Sequence, residues 1–219
     1  MGIFDLTDDQ IREAASKLSP EQAKPWLDII EQRKLRDKLL AELEEKKDYD
    51  QILMFVGSEH RAEKLVSWKD ELTDDQVREL LTDYWSVTEG WSGDEDLREG
   101  MLELLHRVQP LMVMDEEDPR PLPDDEELVI YRGNLGEVPS GGSWTLDRMI
   151  AEKFARMASS MRGQFLGMRP MQEGDVPSIW RARVSRDDVL GYFDNRAERE
   201  IVIDNGMAYD IELIAQAVK

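Results

Sequence analysis

The chain has no cysteine and only two histidines, His60 and His106, among its 219 residues. Disulfide bonds and thiolate chemistry are therefore excluded, and a zinc site, which takes cysteine and histidine ligands, is not expected. Long apolar runs are also missing, because no stretch approaches the roughly eighteen apolar residues that a membrane helix requires. The first residues lack the basic and apolar regions of a signal peptide. The sequence thus predicts a protein that works in a cytoplasm, without a metal and without a membrane partner.

Basic residues are outnumbered, with 28 lysines and arginines against 48 aspartates and glutamates and a formal net charge of -20. A surface this acidic repels nucleic-acid phosphates, so direct nucleic-acid binding is not expected. It favours either a basic protein partner or solubility alone. The charge is unevenly distributed, since residues 1–127 carry about -19 and residues 128–219 about -1. The two parts of the chain are therefore electrostatically different.

Residues 1–110 have the periodicity and the start signals of α-helices. Apolar residues at three- and four-residue spacing predict a long helix from Pro20 to about Lys47. Shorter helices are predicted near residues 50–56, 59–68, 74–84 and 94–108. Capping boxes, in which a hydroxyl residue precedes a glutamine by three positions, begin at Thr7, Ser19 and Thr73. This part is therefore predicted to be an acidic all-helical domain over residues 1–114.

Residues 115–127 interrupt the helical pattern with three prolines and eight carboxylates. Such a segment cannot pack as a helix, so it is either a linker or an extended strap. Short strands follow, over residues 128–131, 178–184, 200–203 and 208–214, with a helix near 147–159 and loops over 160–177 and 186–197. The sequence therefore predicts an α+β chain, with an acidic proline-rich linker over 115–127 and a mixed domain of short strands over 128–219.

Arg132 is the first residue of the mixed domain that is suited to chemistry. It follows an apolar strand and precedes Gly133, where the backbone can turn sharply. An arginine in this position can hold a phosphate or a carboxylate with two parallel hydrogen bonds. A structural ion pair at the end of the strand is the alternative.

Two hydroxyl residues, Ser143 and Thr145, flank Trp144. The two-residue period of a strand predicts both hydroxyls on one face and the indole on the other. The hydroxyls can bond to a ribose or steady a nearby carboxylate. Equally, they can cap the helix that is predicted to begin near Asp147.

Two carboxylates, Glu198 and Glu200, enter the apolar run 201–203. On a strand both would project from one face, which is unfavourable unless cations or hydroxyls meet them. Pairing with Arg196 or Arg199 is the structural alternative.

The three motifs together suit cleavage of the bond between nicotinamide and ribose in NAD. They supply a carboxylate, a hydroxyl and a guanidinium, and a carboxylate near the anomeric carbon stabilises an oxocarbenium-like state.

In their order along the chain, these three motifs resemble the arginine, serine/threonine and glutamate motifs of the mono-ADP-ribosyltransferase superfamily, in the branch of bacterial toxins and bacteriophage transferases. The similarity covers roughly residues 126–214. It implies that Arg132 and Gly133 bind NAD and that Ser143 and Thr145 support the site. It also implies that Glu200 is catalytic and that Glu198 activates the acceptor, which is expected to be an arginine side chain of the target protein. The middle motif reads Ser-Trp-Thr, where many relatives have Ser-Thr-Ser.

The resemblance also implies roles for two loops. The segment 160–177, with Arg162 and Phe165, corresponds to the loop that binds the phosphates and the nicotinamide of NAD. The segment 190–196, with Tyr192 and Phe193, corresponds to the loop that recognises the target protein.

The sequence therefore predicts an NAD-dependent mono-ADP-ribosyltransferase that modifies a protein side chain and uses NAD as its substrate. One alternative is an NAD glycohydrolase, or a catalytically silent module that binds NAD, on the same fold. The other is an interaction protein in which the acidic part mimics nucleic acid and the three motifs form ion pairs.

Overall fold

The computed structural model describes residues 6–88, 94–135, 139, 142–158 and 176–216. Within them the chain is α+β, as predicted, with seven α-helices and one seven-stranded mixed sheet, and six of the helices precede the first strand. The chain forms two compact units, Met1–Val56 and Gly57–Lys219. No helix in this described part is long and apolar enough to cross a membrane.

The first unit contains α1 (Asp8–Ser16), α2 (Pro20–Lys46) and α3 (Tyr49–Phe55). The predicted capping boxes at Thr7 and Ser19 are present, and they satisfy backbone N–H groups at the starts of α1 and α2. Arg33 on α2 donates to the carbonyl oxygen of Leu6 at 2.8 Å, and it pairs with Asp8 at 3.1 Å. This arginine ties the start of α1 to the middle of α2.

The second unit begins with α4 (Ser58–Ser67), α5 (Asp74–Tyr84), a 3-10 turn (Trp85–Val87) and α6 (Glu95–Val108). The third predicted capping box, at Thr73, starts α5. Arg107, near the end of α6, donates to the carbonyl oxygens of Lys69 and Leu72 at 2.6 and 2.7 Å and pairs with Asp74 at 2.8 Å. The end of α6 is thereby held against the start of α5.

The sheet of the second unit has the strand order β1-β5-β6-β3-β2-β4-β7, in which β1 is parallel to β5 and the other neighbours are antiparallel. The strands are β1 (Leu111–Val113), β2 (Glu127–Leu135), β3 (Ser143–Thr145), β4 (Pro177–Ser185), β5 (Val189–Phe193), β6 (Glu200–Ile203) and β7 (Tyr209–Gln216), and α7 (Arg148–Ala158) follows β3. Apolar side chains from these strands form a continuous core, which includes Leu128, Ile130, Trp144, Ala182, Tyr192 and Ile201.

Two of these strands differ from the sequence prediction. The pattern predicts a loop over 186–197, whereas Val189–Phe193 form β5, and β1 has no counterpart among the predicted elements. Every residue of β5 is buried, so it lacks the alternation of polar and apolar residues that identifies a half-buried strand. The predicted division into 1–114, 115–127 and 128–219 also differs from the structure, because α4, α5, α6 and β1 belong to the same compact unit as the sheet.

The acidic proline-rich segment between β1 and β2 is a strap on the second unit rather than a free linker. Its Leu122 is 6% exposed and belongs to the apolar core of the sheet. Its Arg120 pairs with the fully buried Asp194 at 2.7 Å. The carbonyl oxygen of Glu126 accepts from the backbone N–H of Arg186 at 2.9 Å. These contacts hold the segment against the strands despite its charge.

Candidate active site

Gly133 lies inside β2, where the pairing with β4 continues on both sides of it, opposite Ile179. The prediction of a sharp turn at this glycine is therefore wrong. A Cβ atom at Gly133 would lie 2.0 Å from the carbonyl oxygen of Ala151 and 2.5 Å from the backbone nitrogen of Ala155. The glycine thus permits α7 to pack directly on the strand that carries Arg132.

The hydroxyls of β3 lie as the strand period predicts, with the Trp144 side chain on the opposite face and 5% exposed. Ser143 Oγ donates to Glu200 Oε1 at 2.6 Å. Thr145 Oγ1 donates to the carbonyl oxygen of Glu198 at 2.6 Å and accepts from the backbone N–H of Asp147 at 3.0 Å. Ser143 therefore steadies a carboxylate, whereas Thr145 holds the backbone before Glu200 and also the chain that enters α7.

Arg132 bridges a gap between two strands. The pairing of β2 with β3 is limited to Tyr131 opposite Thr145, and beyond this point the guanidinium of Arg132 donates through Nη1 to the carbonyl oxygen of Ser143. Burial lowers the pKa of Arg132 to about 10, and the charge of Glu200 acts in the opposite direction. The side chain is therefore still a cation at neutral pH, and it holds β3 beside β2 at the site.

The two glutamates leave a tight turn between β5 and β6. Ala197 and Arg199 have φ values of 56° and 47°, which are uncommon for residues other than glycine. The fully buried carboxylate of Asp194 accepts from the backbone N–H of Arg199 at 3.1 Å. Since β6 begins at Glu200, Glu198 precedes the strand rather than lying on it. Asp194 and the left-handed residues thus shape the backbone of the turn that carries Glu198 and leads into Glu200.

Glu198 forms the ion pair that the structural alternative predicts. Its Oε1 lies 3.4 Å from Nη2 of Arg196, and its side chain is 13% exposed. Both Glu198 and Glu200 nevertheless line one cleft. An ion pair with Arg196 therefore coexists with a position beside the second carboxylate.

Burial raises the pKa of Glu200, since a charged carboxylate loses its water. Hydrogen bonds from Ser143 and from the Trp85 side chain act in the opposite direction, the nearby charge of Glu198 adds to the rise, and the charge of Arg196 opposes it. A carboxylate with a raised pKa, held by defined donors in a cleft, is a candidate catalytic group.

The cleft has a volume of about 350 Å³, which lies within the range of small-molecule sites. It is lined by the three sequence motifs, with Arg132, Ser143 and Glu200 all contributing. One face of α7 forms another wall, with Phe154 and Met157. The buried positions of α7 are Ala151 and Ala155, at 0% and 3% exposure.

The cleft also has a wall that no sequence motif predicts, formed by Trp85, Ser86 and Thr88. They come from the 3-10 turn after α5 and from the residue that follows the turn. The Trp85 ring stacks on Phe193 of β5, with ring centroids 4.9 Å apart and an angle of 11° between the planes. No spacing in the sequence relates the turn to β5, although a tryptophan at the end of an amphipathic helix is a weak signal of a buried contact.

The loop residues that the family resemblance suggests fall into two groups. Arg162 and Phe165 lie outside the described residues, as does nearly all of the segment 160–177. Tyr192 and Phe193 are 0% and 2% exposed on β5, so their suggested contact with a target protein is wrong. Tyr192 instead donates to the carbonyl oxygen of Arg120 in the strap at 2.7 Å.

Within the described ranges, no group of three or more histidines, aspartates and glutamates is arranged to hold a metal ion. The chain matches no protein-family model, no curated protein and no solved structure with which it was compared. The residues of the cleft are therefore the basis for a functional assignment.

Proposed function

We propose that this chain is an NAD-dependent mono-ADP-ribosyltransferase of the arginine-serine-glutamate branch, which transfers ADP-ribose to a protein side chain and releases nicotinamide. The observation that carries the proposal is the meeting of Arg132, Ser143 and Glu200 in one cleft, with Ser143 Oγ 2.6 Å from Glu200 Oε1. These residues come from three strands, β2, β3 and β6, that are neighbours in the sheet although 68 positions separate the first from the last.

Glu200 performs the central step of the proposed reaction. The bond between the anomeric carbon of the ribose and the nicotinamide nitrogen breaks, and its electron pair leaves with nicotinamide, which becomes neutral. Positive charge then develops on the sugar, and an ionised carboxylate beside the anomeric carbon stabilises it. Ser143 fixes the direction of that carboxylate through its hydroxyl group. Arg132 supplies a positive charge that suits the pyrophosphate of NAD.

Glu198 performs the transfer step. The acceptor nitrogen forms a bond to the anomeric carbon, and its proton passes to the Glu198 carboxylate. The position of Glu198 supports this role, because it lines the cleft beside Glu200 and Thr145 holds its backbone carbonyl. An arginine side chain is the proposed acceptor group, and the acidity of residues 1–127, with a charge of about -19, favours a basic acceptor protein.

One observation favours NAD hydrolysis as a second candidate function. The guanidinium of Arg196 already lies 3.4 Å from Glu198 Oε1, where an acceptor guanidinium has to bind. If the protein's own arginine keeps this place, water is the remaining nucleophile and the products are ADP-ribose and nicotinamide. Transfer requires that the acceptor displace Arg196, whose side chain is 50% exposed and can move.

The experiment measures two products from labelled NAD in the presence of a bacterial lysate: free nicotinamide and labelled protein. Glu200→Gln should abolish both products, because glutamine cannot balance the charge on the sugar. Glu198→Gln should abolish protein labelling while nicotinamide release continues. Glu212→Gln on β7 is the control, since this carboxylate pairs with Arg181 and lies outside the cleft lining.

The outcomes separate the candidates. Full activity of Glu200→Gln refutes both enzymatic assignments. Release of nicotinamide with no labelled protein favours the hydrolase. Identification of the labelled protein and of its modified side chain establishes the acceptor.

A further inference from the structure

The 3-10 turn Trp85–Val87 contacts β5, the strand that pairs with β6, and Glu200 is the first residue of β6. Trp85 is 4% exposed, and its ring is stacked on Phe193. Phe193 is the direct register partner of Glu200 between β5 and β6. Side chains of such partners lie on the same face of the sheet, so the stacked indole is a neighbour of the Glu200 carboxylate. Trp85 and Glu200 line the same cleft.

The indole N–H serves as a hydrogen-bond donor to this carboxylate. Ser143 supplies a hydrogen bond from β3, and Trp85 supplies another from the helical segment. A buried carboxylate is costly unless donors replace its water, and a tryptophan N–H can only donate. The stack on Phe193 limits the rotation of the Trp85 ring, so the direction of the donor is fixed.

The next residue of the turn is connected to the other glutamate. The carbonyl oxygen of Ser86 accepts from Nη1 of Arg196, and Nη2 of the same guanidinium lies 3.4 Å from Glu198. One short turn is therefore bonded to Glu200 through Trp85 and to Glu198 through Arg196.

We infer that the turn Trp85–Val87 is part of the active site and that Trp85 is a positioning residue, which holds the Glu200 carboxylate through its indole N–H. The catalytic meaning of this contact rests on the proposed function, whereas the contact itself does not. The helical segment of the second unit is then required for catalysis even though it lies outside all three sequence motifs.

The test compares Trp85→Phe with Trp68→Phe in the full chain. Phenylalanine at position 85 keeps a ring that can stack on Phe193 but has no N–H group. Trp68 is a matched control because it is also buried, at 8% exposure, lies in the same compact unit and does not line the cleft. The side-chain carboxyl resonances of ¹³C-labelled glutamate are titrated, and the Glu200 resonance is identified by its absence in Glu200→Gln.

Loss of one hydrogen bond to a charged group should raise the midpoint of the Glu200 titration by about one pH unit in Trp85→Phe, and Trp68→Phe should titrate like wild type. The acid limb of the pH profile of nicotinamide release should move by the same amount, with kcat recovering at high pH and KM for NAD unchanged. A wild-type midpoint in Trp85→Phe overturns the inference, whatever the activity. A shifted midpoint in a chain that releases no nicotinamide supports the contact and refutes the proposed function.

A second measurement applies if Trp85→Phe does not fold. An indole bonded to a titrating carboxylate changes its fluorescence as the carboxylate ionises. The wild-type chain should therefore show a fluorescence transition at the Glu200 midpoint that is missing in Glu200→Gln. Identical fluorescence titrations of these two proteins would contradict the inferred contact.

Discussion

Replacing Gly133 with alanine should push α7 away from β2. The new Cβ would lie 2.0 Å from the Ala151 carbonyl oxygen and 2.5 Å from the Ala155 nitrogen, whereas ordinary contacts begin at 3.4 Å. Both obstacles are backbone atoms of a helix, so no side-chain rotation relieves them and the helix has to shift by roughly 1 Å or more. Overpacking of this kind costs about 1–3 kcal/mol, and we expect a loss of about 3 kcal/mol because the backbone is rigid on both sides.

Urea unfolding of Gly133→Ala measures this loss as a lower midpoint. Gly206→Ala is the matched control, since a Cβ at Gly206 meets nothing within 4 Å, and its midpoint should be equal to or slightly above the wild-type value. Nicotinamide release should also fall in Gly133→Ala, because Phe154 and Met157 of the displaced helix line the cleft. If α7 did not pack on this strand, alanine would relieve the entropy that glycine loses in a strand, so unchanged or increased stability refutes the reasoning.

Two further predictions concern buried carboxylates. Burial raises the pKa of Glu200, so the stability linked to this group is present at low pH and is lost as the pH rises through its folded-state pKa. Glu200→Gln should therefore have a higher Tm than wild type at about pH 8 and an equal Tm at about pH 4. A lower Tm of this variant at the higher pH would contradict the burial of an ionised carboxylate. Asp194→Asn should lower the stability to urea by about 2 kcal/mol, because it weakens the pairing with Arg120 and the hydrogen bond from the Arg199 backbone. Asp124→Asn is its control and should be neutral, since that carboxylate is 99% exposed in its pair with Arg186, and equal losses in the two variants would refute the anchoring role of Asp194.

Local chemistry was enough to predict the helices of this chain. The three capping boxes at Thr7, Ser19 and Thr73 each depend on two residues three positions apart, and all three are present. The alternation at Ser143 and Thr145 is equally local, since the period of a strand fixes which side chains share a face. For these features the interacting groups are close in sequence, so the pattern contains both partners.

Contacts between distant segments could not be predicted in the same way. Trp85 and Phe193 stack although more than a hundred residues separate them, and nothing in the spacing of either segment refers to the other. The role of Gly133 was misassigned for the same reason. The sequence indicates that a side chain is absent at this position, but not that a helix occupies the space.

The sequence by itself determined the classes of chemical group at the site and their order along the chain: a guanidinium, a pair of hydroxyls and a pair of carboxylates. It also determined which stretches become helices, because capping and periodicity act over a few residues. Only the tertiary structure decided that Ser143 and not Thr145 donates a hydrogen bond to Glu200. The same holds for the ion pair between Arg196 and Glu198 and for the position of Trp85 in the cleft lining. The physical reason is that these choices depend on strand register and on packing between segments far apart in sequence, where a displacement of one residue would exchange one partner for another.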